Sequence, residues 1–391
     1  METGAFAEQK QVYREARASS YHWLRNGREA VDRMLDAINQ AKRSIRLETF
    51  IFHADAVGNT FRDALIAAQK RGVRVRVMCD AFGSMKLNSI YWEDLLKAGG
   101  EFRSFNPLDI KRLIHRDHRK ILVVDDEIAF IGGFNIGAEY CGDGITSGWR
   151  DLGLRIEGRL ASELADTFND LFTRADCRHR RFQRIRHTRA DAVVAGPDWI
   201  LLLTGPGRGH RALKQSLARD FSHAKSIGIM SAYFLPNMRL LRELKYAARR
   251  GARVQLILAG KSDVWLMRIA TRGLYSSLLR AGVEIYEYEP QILHAKVVVA
   301  DDVVYAGSAN LDARSLSINY EVIARIPNHA LAEEARQIFT GDLKHCRRID
   351  RKEFRKARKI WENILERWAF FLLARADPYL ARRQRRHLLQ S

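Results

Sequence analysis

Apolar and polar positions follow two different periods along this chain, and the two take turns. "SIRLETFIF" (44–52) reads as a strand. "FRDALIAAQKRG" (61–72) spaces its apolar residues at helical intervals and closes on a glycine. "VRVRVMCD" (73–80) returns to a strand, and a helix ending at "LLKAGG" (95–100) leads into another short one. After "HRK" (118–120), two β-rich runs flank the acidic turn "DDE" (125–127). Strand–helix alternation of this kind predicts α/β layers, a mixed β-sheet flanked by helices.

The pattern is written twice. "AKRSIRLETFIF" (41–52) corresponds to "AKSIGIMSAYFLP" (224–236), and "FRDALIAAQKRGVRVRVMCD" (61–80) to "LRELKYAARRGARVQLILAG" (241–260). "LLKAGGEFRSFNP" (95–107) corresponds to "LLRAGVEIYEYEP" (278–290), and "HRKILVVDDEIAFIGGFN" (118–135) to "HAKVVVADDVVYAGSAN" (294–310). At Ala41/Ala224, Gly72/Gly251, Ala98/Ala281 and His118/His294 the offsets are 183, 179, 183 and 176, differing only by loop-sized amounts. Four matched blocks in one order indicate duplication, and a repeat this long means two similar lobes. The expected division is an N-terminal lobe over 20–175, a basic linker over 176–196, a C-terminal lobe over 197–343 and a basic amphipathic tail over 344–391.

Composition narrows the partners. The formal net charge of +20 fits nucleic acid or an acidic lipid surface. Half of it lies in the tail, where fifteen Lys and Arg stand against five Asp and Glu. A second basic run, "RHRRFQRIRHTR", occupies 178–189. Cysteines 79, 141, 177 and 346 form no CxxC pair, which argues against a zinc site or disulfide framework. The N-terminus lacks the apolar core of a signal peptide, and nowhere do about twenty apolar residues run together, so no transmembrane helix is expected.

The duplication also selects the chemistry. His115 and His118 sit three apart, yet only His118 has a counterpart, His294; Gln291 stands opposite His115. The shared pattern is H-x-K-x4-D followed by G-[G/S]-x-N: His118, Lys120, Asp125, Gly132, Gly133 and Asn135, then His294, Lys296, Asp301, Gly307, Ser308 and Asn310. A lone HxK before a strand is commonly a turn, but its recurrence in register makes a catalytic pair. Residues i and i+2 of a strand share a face, so each ammonium accompanies its imidazole. Two lysines, the asparagine amides and the close-approach positions Gly133 and Ser308 suit the oxygens of a phosphodiester without a metal. Two facing histidines suit displacement at phosphorus, one attacking and the other protonating the leaving alcohol. Asp125 and Asp301 complete the motifs. Each ends a strand at a tight turn, where bonding backbone, or a cation across the lobe interface, is the expected task.

These paired motifs resemble those of the phospholipase D superfamily, and more narrowly the short B-type bacterial cardiolipin synthases. "LETFIF", "KRGVRVRV", "HRKILVVDDEIAFIGGFNIGAEY", "WRDLGLRIEG", "SAYFLP" and "GSANLDARSLSINYE" carry the likeness over roughly residues 20 to 343. Gly133 replaces the commoner serine. The second motif is one residue shorter between Asp301 and Gly307, as a shortened hairpin would make it.

The resemblance implies two duplicated phospholipase D-like lobes with the active site at their interface. It implies transfer of a phosphatidyl group between phosphatidylglycerol molecules through a phosphohistidine, with His118 the expected nucleophile and neither cofactor nor metal. The partner would be anionic phospholipid at a peripheral membrane surface, on the cytoplasmic face of the cell membrane, with no nucleic acid. A hydrolytic phospholipase D is the nearest alternative and a nuclease of the same superfamily a further one. For orienting carboxylates it points to Glu321 of "INYE" beside His294; for His118, Asp151 of "WRD" is the candidate and Glu139 its competitor.

Other positions have two readings each. Tyr233 and Phe234, with Phe50 and Phe52 in the first half, fit the core or an acyl pocket. Arg150 fits a second phosphate or a solvated surface, and His115 an entrance or surface position. In the tail, Ile360, Ile364, Trp368 and Phe371 fall on one helical face, with Trp361, Leu365 and Leu372 beside them. That helix either docks on the lobes or lies on anionic lipid.

Overall fold

The computed structural model describes residues 19–106, 115–175, 193–205, 210–357 and 360–373. Two sheets carry the molecule. The first holds β1 (Ser20–Leu24), β2 (Ser44–Thr49), β3 (Arg74–Asp80), β4 (Glu101–Phe105), β5 (Ile121–Val124), β6 (Ile128–Gly132) and β7 (Gly153–Glu157), in the order β1-β7-β6-β5-β2-β3-β4. The second holds β8 (Val193–Ala195), β9 (Ile200–Thr204), β10 (Ser226–Ser231), β11 (Arg253–Ala259), β12 (Glu284–Tyr288), β13 (Lys296–Ala300), β14 (Val303–Gly307), β15 (Glu321–Pro327) and β16 (Cys346–Arg348). Its order is β16-β12-β11-β10-β13-β14-β15-β9-β8.

Removing β8 and β16 leaves one topology drawn twice. In each lobe three strands run parallel through helical crossovers (β2, β3, β4 and β10, β11, β12), and the rest of the sheet is antiparallel. The lobes are mixed α/β, as the alternating periods predict. The second sheet also takes in Val193–Ala195 and Cys346–Arg348, residues that the sequence division gives to linker and tail. The whole basic run 178–189 and the tail from 374 lie outside the described residues.

Local chemistry explains the repeat. The helices Gly27–Gln40, Ala56–Lys70, Met238–Arg249 and His329–Leu343 start on Asn26, Asp55, Asn237 and Asn328, whose side chains accept from the orphan amides of Glu29, Gly58, Leu240 and Leu331. The crossovers return through Gly72 and Gly251, at φ 90° and 94°, a left-handed backbone that favours glycine at the same point of both lobes.

One core joins the lobes. β5, β6 and β7 bury Ile121, Ile131 and Leu154 in the cluster that holds Val297, Ala306 and Val322 of β13, β14 and β15. Outer cores lie beneath the helices of each lobe, Phe61 and Leu65 in the first, Leu240, Leu244 and Leu274 in the second. The repeated hairpins therefore meet at the centre of the molecule. Among the described residues no helix is long and apolar enough to cross a membrane.

Candidate active site

Each motif histidine precedes its strand, and the chain there crosses to the opposite lobe. The His118 amide donates to the Tyr320 carbonyl (3.0 Å), and the Tyr320 amide donates back to Arg116 (2.9 Å). The second lobe repeats the exchange: the His294 amide donates to Arg150 (2.7 Å) and the Arg150 amide to Ile292 (2.8 Å). The residue after each crossing partner is an acid. Glu321 thus accepts from Nδ1 of His118, both carboxylate oxygens at 3.0 Å, and Asp151 accepts from Nδ1 of His294 at 2.7 Å.

The expected pairing is corrected here: the two acids are the anticipated ones, but each serves the histidine of the other lobe. Glu139 serves neither, pairing instead with His53 at 3.1 Å. Both acids are fully buried. An Nδ1–H held by a carboxylate leaves the lone pair on Nε2, the atom free to attack or to take a proton.

The carboxylates are braced differently. Ser308 donates its hydroxyl to Glu321 at 2.5 Å and accepts from the Val322 amide at 3.0 Å. It was expected to touch phosphate; its hydroxyl is already engaged behind the imidazole. Gly133 occupies the matching place, and a Cβ there would lie 2.2 Å from Asp151 Oδ1. Glycine at that position is the space the Asp151 carboxylate fills, which accounts for the departure from serine.

Lys120 and Lys296 are buried and anchor on the carbonyls of their own histidines, at 2.7 and 2.5 Å. Burial lowers both ammonium groups. For Lys120 the like charge of Lys296 adds to burial, bringing it to about 7. Burial also lowers both imidazoles, against the pull of the carboxylates. With the nearby Lys296 charge adding to burial, His294 comes to about 4. The two buried lysine charges repel each other, an arrangement that a bound anion relieves.

Asn135 and Asn310 are buried too. Asn135 Oδ1 accepts from the Ile51 amide at 3.1 Å, which directs its amide hydrogens elsewhere. Asn310 Oδ1 is buried without a hydrogen-bond partner among the described residues. Rings wall the histidines: Phe50 stands edge-on to His118 (5.1 Å), and Tyr140 and Trp149 pack on His294 (5.4 and 5.3 Å).

The other candidates divide: a cation bridge across the interface, a phosphate or surface role for Arg150 and a surface position for His115 are corrected, whereas the backbone-bonding role of Asp125 and Asp301 and the core reading of Phe52 and Phe234 agree with the structure. Asp125 and Asp301 stand away from the lysines: four residues lie between Lys120 and Asp125, and four between Lys296 and Asp301, a separation of roughly 16 Å along the strand. Asp125 accepts from the amides of Lys42, Arg43 and Ser44, and Asp301 from those of Lys225 and Ser226. They pin the start of β2 and β10 within one lobe and bridge no interface. Arg150 is neither phosphate-free surface nor ligand: it is buried in a bidentate pair with Asp342 (2.8–3.1 Å). His115 is buried, with Nδ1 3.4 Å from the Ile318 carbonyl. Phe52 and Phe234 are core, and the Tyr233 hydroxyl donates to Asp263 (2.7–2.8 Å).

Sequence reasoning missed the clamp on the His118 segment. Arg119 makes a buried fork to Glu48 (2.6 and 2.8 Å), and the Asp117 amide donates to Asp80 (2.9 Å). Its signal was a glutamate inside the apolar strand "LETFIF", where a lone charge requires a partner.

Comparison with known proteins agrees with this geometry. Residues 34–174 and 217–343 match the family described as "Cardiolipin synthase, PLD-like domain". The chain belongs to that family. Cardiolipin synthase 1 of Bacillus cereus is 33% identical over 361 residues, covering 88% of this chain and 70% of the relative. Cardiolipin synthase B of Salmonella typhimurium is 33% identical over 369 residues, covering 91% and 88%. Among solved structures, phosphatidylserine synthase of Haemophilus influenzae superposes with a TM-score of 0.71 at 17% identity, over 92% of this chain and 94% of that one. The last shares the fold. The two family segments fall on the two lobes, so the duplication is one of phospholipase D-like domains.

Proposed function

We propose that the protein is a cardiolipin synthase that transfers a phosphatidyl group from one phosphatidylglycerol to the primary hydroxyl of another, releasing glycerol. The observation that carries this is the crossed pair of His–carboxylate couples at one lobe interface, with two buried lysines beside them. In the first step the Nε2 lone pair of His118 attacks phosphorus while His294, charged on Nε2 once the anionic phosphodiester is bound beside it, gives that proton to the departing glycerol oxygen. A phosphatidyl-histidine and free glycerol result. In the second step His294 takes the proton of the incoming hydroxyl, whose oxygen displaces Nε2 of His118 from phosphorus, giving cardiolipin. Lys120, Lys296 and the amides of Asn135 and Asn310 carry the non-bridging oxygens. No cofactor enters the scheme, and the work is done at the cytoplasmic face of the cell membrane.

Water in place of the second alcohol would give phosphatidic acid. The walls of Trp149 and Tyr140 around His294 favour transfer, since they shield the base from bulk water. Incubation with phosphatidylglycerol vesicles, read by lipid mass spectrometry, tests the reading. Cardiolipin with equimolar glycerol is expected; phosphatidic acid alone would make the protein a hydrolase, and neither product would reject both.

A further inference from the structure

The tail helix Ile360–Phe371 docks on the second lobe with the face opposite to its apolar stripe. It lies along the helix Trp265–Arg280, where the Glu366 backbone reaches Gly273; a Cβ on that glycine would lie 3.4 Å from the Glu366 carbonyl oxygen. Glu366 and Ala369 are buried in this contact. Trp361, Ile364, Trp368 and Phe371 are left between 55 and 65% exposed. Four large apolar side chains bare on one short helix are what a soluble surface avoids.

Two further large apolar side chains stand exposed on the same lobe. Trp265 opens its docking helix and Met238 opens the preceding one, both more than half exposed. Those helices follow β11 and β10, and β10 ends at Ser231, which pairs with Lys296. Their first residues therefore rim the sheet edge that carries the site. The helix Arg351–Ala357, which buries Phe354 and packs on the same helix Trp265–Arg280, exposes Arg351, Lys352, Arg355 and Lys356 against the single acid Glu353.

We propose that this outer layer of the second lobe is a docking face for an anionic bilayer. Trp361, Trp368 and Phe371 sit at headgroup depth, and the basic helix contacts lipid phosphates. The inference rests on the transferase reading, which makes a membrane lipid the substrate. It adds which surface meets the membrane, and it orients the site edge towards the lipid. Charge complementarity selects the occupant: tryptophans flanked by cations match a surface that is negative outside and apolar a few ångströms beneath.

Sedimentation with vesicles of phosphatidylcholine, with and without phosphatidylglycerol, tests it. The full chain is expected to partition onto the anionic vesicles. The combined variant Trp361→Ser, Ile364→Ser, Trp368→Ser, Phe371→Ser should bind at least about tenfold more weakly. All four side chains are exposed, so the variant should keep the wild-type circular dichroism and its turnover of short-chain, monomeric phosphatidylglycerol. Lys352→Glu with Lys356→Glu should weaken binding to anionic vesicles specifically. Unchanged partition of the fourfold variant would overturn the proposal. So would lipid-free dimers of the wild type that the variant abolishes while vesicle binding persists, because a second copy would then cover the face. Partition is read without turnover, so failure to make cardiolipin would count against the function alone.

Discussion

Glu321 of the second lobe holds Nδ1 of His118 in the first, with both carboxylate oxygens at 3.0 Å, and Asp151 of the first holds His294 of the second at 2.7 Å. Neither lobe owns a complete catalytic couple. A separated lobe would keep its histidine and lose the acid that fixes its tautomer. The duplication thus survives as an obligatory pair.

The crossing makes the carboxylates separable by spectroscopy. Glu321→Gln should change the ring-nitrogen shifts of His118 and leave those of His294 in place, and Asp151→Asn should do the reverse. Each should lower kcat on the order of 10²–10⁴-fold, the scale seen when a histidine loses its orienting acid. Shifts that follow the same-lobe histidine would contradict the crossed arrangement.

Gly133 tests the space behind His294. In Gly133→Ala the new Cβ would stand 2.2 Å from Asp151 Oδ1, so the carboxylate must move. We expect a loss of activity comparable to Asp151→Asn and a destabilisation of about 1–3 kcal/mol, read by urea unfolding. Ser308→Ala, which removes the hydroxyl's hydrogen bonds to Glu321 and from the Val322 amide without adding bulk, should cost about 1–3 kcal/mol and less activity.

Asp125 should behave as a structural residue. It sits at φ 56° and ties down three backbone amides at the start of β2. Asp125→Ala should lower stability by about 2–4 kcal/mol through the lost hydrogen bonds and left-handed strain. The kcat of the folded protein should stay within about twofold of wild type, whereas Lys120→Met should abolish turnover without unfolding the chain.

Protonation should follow anion binding. Burial and the charge of Lys296 bring Lys120 down to about 7, so at about pH 8 the empty site holds it mostly neutral. A phosphate placed beside it stabilises the charged form and raises its pKa, so binding takes up a proton. Calorimetry of a phosphatidylglycerol headgroup analogue in buffers of different ionisation enthalpy should show that uptake. The part due to Lys120 should shrink towards about pH 6, where its ammonium is already formed, and the uptake at about pH 8 should be smaller in Lys120→Met.

Much of this was legible before the fold. The doubled motif selected His118 over His115, and the matched blocks anticipated the shared strand order of the two sheets. The pairing of acid with histidine was not, because sequence distance favours partners within a lobe and the crossing depends on hydrogen bonds between segments that share no local pattern. Arg150 and His115 were misread for a related reason. Their burial comes from Asp342 and Ile318, each about 190 or more residues away. Only the tertiary fold makes a surface-type residue an interior one.

The central claim, displacement at phosphorus through one of two crossed histidines, is tested most directly by trapping the intermediate. Protein quenched during turnover of phosphatidylglycerol, digested and mapped by mass spectrometry, should carry the phosphatidyl mass on the peptide containing His118. In Glu321→Gln that adduct should form more slowly. An adduct on His294 would reverse the roles of the two histidines, and cardiolipin accumulating with no adduct on either would contradict the account.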